Sequence, residues 1–373
     1  MSRLARIPRL FVLIAVCSVS AVAATSYVIV NNNSPSHNSV SVYKLNSADG
    51  ALTFYGKVGT TGQSLGGGIV AIGQAITSDA HCLFALDTGS NDIAAFASPS
   101  YKLVGKFSNI ALNFSKNQGG GIAVSPNGKF VYGAYSGSMN IGAWQVNPNC
   151  SLTFIAAYVP SVGADSYAYL GVSPNGGLLV VSAPDLSAAE SFKIGSNGSL
   201  TDLGFVAFND TSSCSSEGCF PASLDFTKDS KVVVFGNGSI QPSVLTANIE
   251  TTGVLTNPQM WDLPNSQSLI FSNAVFLSAA AYAGKGFLFV GMVPGVVTAS
   301  FTENPLSITT ANATTISDYT GGIASDGSTL VLTEPPQDLD TFKINSDGSL
   351  TPLSTVTDTA GDPLWPTIYP NTR

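Results

Sequence analysis

From residue 120 to residue 158 the chain reads "GGIAVSPNGKFVYGAYSGSMNIGAWQVNPNCSLTFIAAY". Short apolar runs alternate with small and polar positions at a period of two, and Asn, Gly, Pro and Ser cluster between them. Period-two alternation bounded by such clusters predicts antiparallel strands. Asn127-Gly128 supplies the positive φ that a tight hairpin needs. Four strands are predicted here, A to D: "GGIAV", "KFVYGAY", "NIGAWQV" and "SLTFIAAYV".

The same pattern returns at 172–206 as "VSPNGGLLVVSAPDLSAAESFKIGSNGSLTDLGFV". Further copies begin near Gly66 and cover 119–159, 168–207 and roughly 219–263. A divergent sixth holds "AVFLSAAAYAGKGFLFVGM", and a seventh holds "GGIASDGSTLVLTEPP". The ends complete one another. The N-terminal segment opens on a B-like strand, "SYVIVNNN", and lacks an A strand, whereas the C-terminal "LWPTIYPNTR" reads as an A strand without its blade. Units of 40–55 residues with four strands each are the signature of a β-propeller, here all-β and seven-bladed. The last strand is expected to close the ring on the first blade, which removes a free sheet edge. No linker interrupts the series, so residues 24–373 are expected to form a single domain that grows blade by blade. The glycine runs at 66–68 and 119–121 are read as space for inner strands crowding around the axis, since no helix or lysine follows to make a phosphate loop.

Residues 1–23 are read as a signal peptide. Arg3, Arg6 and Arg9 precede a short apolar run and a small-residue site at Ala21-Val22-Ala23, and the run is too short to span a bilayer. Val16 before Cys17 argues against a lipid anchor. The expected product is secreted, either extracellular or periplasmic, with no membrane span. Losing the leader leaves twelve cations against 23 acids, a net charge of −11, and Arg373 as the last arginine. Without clustered cations, nucleic acid is excluded as a partner.

Four cysteines remain. Cys214 and Cys219 enclose four residues and are expected to pair, because a lone CxxxxC is a poor zinc signature. Cys82 and Cys150 form the other candidate pair, and their pairing stays open at this point.

The unit "SPNGKFVYGAYSGSMNIGAWQV…SLTFIAAY" resembles the repeat of the seven-bladed lactonase family, which includes the propeller-type 6-phosphogluconolactonases with their YVTN-like repeats. "LFALDTGSNDIAAF" and "SDGSLTPLSTV" follow the same pattern. The resemblance covers the mature chain and implies a WD40-like ring with lactone-hydrolysing members. Members acting on phosphorylated or carboxylated lactones imply His, Arg and acidic residues at one mouth of the ring. Here the cations are missing, so 6-phosphogluconolactone is a poor substrate for this chain.

B–C links and D-to-A connections share one end of the ring, the upper face. His37 falls there and His81 on the opposite, lower face. Upper-face segments also carry Asn113, Gln118, Asp165, Tyr167, Asp185, Asp210, Glu217, Asp318, Glu334, Asp358 and Asp362. Asp165, Tyr167 and Glu217, each just before an inner strand, are the expected ligand-binding residues. No cofactor is required by any motif, although converging carboxylates and amides are the ligand type that Ca²⁺ favours. The expected partner of this monomer is a small neutral ligand or glycan at the upper mouth. Two functions follow: hydrolysis of neutral lactones, or non-catalytic binding of a glycan, envelope component or protein.

Overall fold

The computed structural model describes residues 26–46, 48–64, 74–77, 80–98, 100–108, 120–135, 140–163, 169–208, 219–237, 243–263, 279–284, 286–292, 295–303, 306–315, 322–334, 337–358 and 364–369. They form seven four-stranded antiparallel sheets. Blade 1 joins β28 (Leu364–Tyr369) to β1 (Ser26–Asn31), β2 (Ser39–Leu45) and β3 (Leu52–Gly59). Blade 2 runs β4 (Gln74–Ile76), β5 (Cys82–Asp87), β6 (Asp92–Ala97) and β7 (Lys102–Ser108). Blade 3 holds β8 (Gly120–Val124), β9 (Phe130–Tyr135), β10 (Asn140–Val146) and β11 (Leu152–Tyr158). Blade 4 holds β12 (Tyr169–Val172), β13 (Leu178–Ala183), β14 (Ala188–Ile194) and β15 (Leu200–Ala207), with a 3₁₀ turn at Pro184–Leu186. Blade 5 comprises β16 (Pro221–Phe226), β17 (Val232–Asn237), β18 (Ser243–Ile249) and β19 (Leu255–Asp262). Blade 6 comprises β20 (Ala279–Gly284), β21 (Phe287–Met292), β22 (Gly295–Glu303) and β23 (Leu306–Thr315). Blade 7 ends the series with β24 (Gly322–Ser325), β25 (Thr329–Glu334), β26 (Asp338–Ile344) and β27 (Leu350–Thr357).

The closure expected from the sequence is present. β28 pairs antiparallel with β1, with Tyr369 opposite Tyr27 and Ile368 opposite Val28. Inner strands of neighbouring blades touch all the way round, including β28 with β24 on one side and β4 on the other.

Each blade boundary holds its own core. Val28 and Val30 pack with blade 7 residues such as Val331 and Leu339, whereas Ile29, between them, packs with Leu83 and Ala85 of blade 2. Alternate side chains of one strand therefore enter two different cores. This explains why the B strands read as unbroken apolar runs, while outer strands such as β7 alternate between exposed and half-buried. Both middle strands supply the large buried rings: Tyr43, Phe96, Trp144 and Phe192 come from C strands, and Phe84, Tyr132, Phe235 and Phe289 from B strands. In every blade the C–D pairing shifts register, at or next to the aromatic position where there is one, as between Ala143 and Trp144. Such a bulge sharpens the local twist of the outer strands.

The recurring Ser-Pro-Asn-Gly has a specific job. Ser125 Oγ accepts from the Phe130 amide at 3.0 Å and donates to Asn127 Oδ1 at 2.8 Å, while the Lys129 amide donates to that same Oδ1 at 3.0 Å. Ser173 with Asn175, and Thr227 with Asp229, repeat this arrangement. Gly128 and Gly176 take φ of +69° and +73° in these turns. Inner-strand crowding is equally concrete. A Cβ on Gly120 would lie 2.3 Å from the Ala134 carbonyl oxygen, and one on Gly171 would lie 2.6 Å from a Leu224 methyl.

Candidate functional site

Antiparallel order places all B–C links and D-to-A connections at one end of the ring. Of the residues expected to bind ligand, Asp165, Tyr167 and Glu217 lie outside the described residues, as do Asn113, Gln118, Asp210, Asp318 and Asp362. Their immediate neighbours are placed: Tyr169 opens inner strand β12, and Cys219 precedes inner strand β16, both buried. Glu334 and Asp358 are buried, whereas Asp185 and His37 are exposed. His81 sits on the lower face, at the A–B turn of blade 2.

The described part of the upper face is organised by buried acids: Asp87, Asp92 and Glu190, which are not among the upper-face residues expected from sequence, and Asp358, which is. At the boundary of blades 1 and 2, Asp87 ends β5 and is fully buried. Its Oδ1 accepts from Asn38 Nδ2 at 2.6 Å and from Thr60 Oγ1 at 3.0 Å. Asn38 also donates to Asn31 Oδ1 at 2.8 Å, and Asn31 donates to the Leu86 carbonyl at 3.2 Å. Asp92 opens β6 directly opposite Asp87 in the ladder. Lys106 reaches one Asp92 oxygen at 3.4 Å and donates to the Thr61 carbonyl at 3.1 Å. Asp87 Oδ2 and Asp92 Oδ1 are the two buried oxygens left over. A protonated Asp87 can share its proton with Asp92, the interaction that adds to its rise. Burial therefore raises Asp87 to about 7, with Asp92 adding to the rise and the Asn38 and Thr60 bonds opposing it.

This network fastens one segment, Thr60–Ser64, between two B–C links. The Asn38 amide donates to the Gly62 carbonyl at 3.1 Å, and the Ser64 amide to the Ser34 carbonyl at 2.9 Å. The Gly89 and Ser90 amides both donate to the Gln63 carbonyl. Gly62 is sterically required, because a Cβ there would lie 2.1 Å from Asp87 Oδ2. Two further boundaries use the same device. Glu190, buried in β14, accepts from the Ser161 and Val162 amides, both at 2.8 Å, which anchors the connection leaving blade 3. Its carboxyl is raised by burial against those two bonds. Tyr43 of blade 1 bonds Asp358 on the connection leaving blade 7, and burial followed by that carboxylate raises the phenol. The acids at these three boundaries thus hold the roots of the mouth connections.

Stability is expected to depend on the Asp87–Asp92 pair in a defined direction. Asp87 rises from an ordinary 3.8 to about 7 on folding, so folding takes up a proton between those values. The contribution is full below about pH 4, fades as pH rises, and is gone above about 7. Urea unfolding at pH 5 and pH 8 checks this. Relative to Asp87→Asn, the wild type should lose on the order of 2 kcal/mol between the two, less than full linkage because the pair shares one proton. Equal pH dependence in both proteins would refute the shared proton.

The lower face carries a covalent link. Cys82, opening β5, and Cys150, in the C–D turn of blade 3, form a disulfide with Cα atoms 5.4 Å apart. The pairing that sequence left open is therefore settled. Cys219 is also disulfide-bonded. No helix among the described residues is long and apolar enough to cross a membrane.

No family model matches this chain, and no curated protein matches it. Solved structures do match along the whole ring. A Lactobacillus plantarum protein superposes with a TM-score of 0.70 at 14% identity, covering 92% of this chain and 99% of its own. A candidate 6-phosphogluconolactonase from Bacteroides fragilis gives 0.70 at 14% identity, with 93% and 99% covered. The periplasmic gluconolactonase of Pseudomonas aeruginosa gives 0.63 at 14% identity, with 92% and 99% covered. At this identity the likeness establishes the fold.

Proposed function

We propose that the chain is an exported, lactonase-type propeller that hydrolyses a neutral lactone or related ester at its upper mouth. The observation carrying this reading is the match of more than nine-tenths of the chain to structures named for lactone hydrolysis. Charge narrows the substrate. Outside residues 1–23 the chain keeps one arginine, Arg373, and anionic substrates are normally held by arginine forks or lysine clusters. A neutral sugar lactone needs neither. The leader at 1–23 and the inter-blade disulfide fit an oxidising, exported setting. Asp165, Tyr167 and Glu217 remain the proposed ligand contacts, and Cys214 the proposed partner of Cys219.

One observation favours a second reading, a non-catalytic binding ring. The buried upper-face acids described above spend their oxygens holding connections rather than facing the channel. The two readings separate in a pH-stat assay of neutral and phosphorylated sugar lactones. Turnover of neutral lactones, at least tenfold faster than of phosphorylated ones and lost in the Asp165→Ala/Glu217→Ala double variant, is the expected result. Rates equal to spontaneous hydrolysis on every lactone would leave the binding ring as the function.

A further inference from the structure

The lower face holds a cluster that neither reading uses. A ring nitrogen of His81 and the sulfurs of Cys82 and Cys150 all lie within 4.8 Å of one another. The three residues come from two blades, joined where the A–B turn of blade 2 meets the C–D turn of blade 3. In the oxidised chain both sulfurs are consumed by the disulfide.

We infer that the dithiol form of this chain binds one thiophilic divalent cation, Zn²⁺ or Cd²⁺, through His81, Cys82 and Cys150. The donor set of two thiolates and one imidazole is the type that zinc and cadmium favour, with a fourth position left to water. The Nε2 of His81 lies 3.0 Å from the Pro148 carbonyl oxygen and its Nδ1 3.5 Å from Ser98 Oγ. With the proton on Nε2 donating to that carbonyl, Nδ1 is the nitrogen that would exchange the Ser98 hydroxyl for a cation. A backbone carbonyl in that role is the usual partner that fixes a metal-bound imidazole. Cys150 Sγ also lies 3.5 Å from the His81 carbonyl, which keeps the sulfur beside this turn. His81 is exposed, which gives a cation an entry path, while Cys82 and Cys150 are buried and hold the sulfurs in place.

The chemistry balances with a phosphine or dithiol as reductant. Two electrons cleave the Cys82–Cys150 S–S bond, the reductant becoming a phosphine oxide (its oxygen coming from water) or a disulfide. The two resulting thiols release their protons as the cation binds. Blades 2 and 3 then remain cross-linked through the metal.

The test uses the leaderless chain carrying Cys214→Ala and Cys219→Ala, so that only two thiols appear on reduction with a phosphine. Titration with Cd²⁺ should give one equivalent bound, with the ultraviolet thiolate-to-cadmium charge-transfer band of two sulfurs. Cys150→Ala should abolish that band, and His81→Ala should weaken binding by about tenfold or more. The oxidised protein should show no band. Zn²⁺ should raise the melting temperature of the reduced protein and leave the oxidised one unchanged. Absence of the band in the reduced chain, its persistence in Cys150→Ala, or unaltered affinity in His81→Ala would each overturn the site. A reduced chain that is unfolded and not refolded by Zn²⁺ would overturn it too.

Discussion

A chain ending at residue 360 should fail to close. Removing 361–373 deletes β28, the inner strand of blade 1, and with it the ladder from Tyr27–Tyr369 to Asn31–Leu364. Ile368, buried in the core between blades 7 and 1, goes with it. So do the contacts of β28 with inner strands β24 and β4. The loss therefore falls on two blade boundaries as well as on one sheet. It also uncovers the inner edge of β1, a row of unpaired amides and carbonyls that invites pairing with another chain. The expected cost is above about 5 kcal/mol, comparable to the whole stability of an ordinary domain. Truncated protein should be insoluble or lack a cooperative melt. A peptide of residues 361–373 added in trans should restore part of the transition, since strand addition to an open edge needs only backbone complementarity and alternate side-chain pockets. Truncated protein that melts like the full chain would refute the closure's energetic role.

The strands were legible because each blade needs the same compromise. B strands are buried on both faces and read as nearly unbroken apolar runs. C strands are mostly buried but admit polar residues such as Ser41 and Thr246, and D strands alternate between exposed and half-buried, so period and turn chemistry divided the chain correctly. Closure was legible because an A strand without a blade at one end matched a blade without an A strand at the other. The buried acids were not. Asp87 and Asp92 flank "TGSN" in "ALDTGSNDIA" and look like ordinary turn residues. Only the ladder shows them opposite each other beneath Asn38 and Thr60. Glu190 did leave a signal, a lone charge in the otherwise apolar or small "AAESF" of a C strand. Such a charge has to be satisfied by another element, here the amides of Ser161 and Val162. The proposed ligand contacts rest on sequence alone: they fall on connections rather than strands, where period and burial place no constraint on a side chain's direction.

The second large effect is expected from the inter-blade disulfide. Sequence could not assign it, because Cys82 and Cys150 stand 68 residues apart and belong to different repeats. Their proximity is a property of the ring: the start of strand B in one blade meets the C–D turn of the next. A loop of that length, closed in the unfolded chain, is worth about 4 kcal/mol on the chain-entropy model. The sulfurs also fill space, since both cysteines are buried in the core that includes Phe84, Trp144 and Leu152. Cys82→Ala/Cys150→Ala should therefore lower the free energy of unfolding by about 4 kcal/mol, read from urea denaturation at matched slope. Alanine is the better substitute than serine, whose hydroxyl would lack a partner in that core. A single Cys150→Ala should cost as much as the pair, because either change removes the same bond. The covalent part of the effect is read separately: a phosphine should destabilise the wild type in metal-free buffer and leave the double variant unchanged, once Cys214 and Cys219 have been replaced in both. A double variant as stable as its parent would show that packing between blades 2 and 3, and not the bond, holds this boundary.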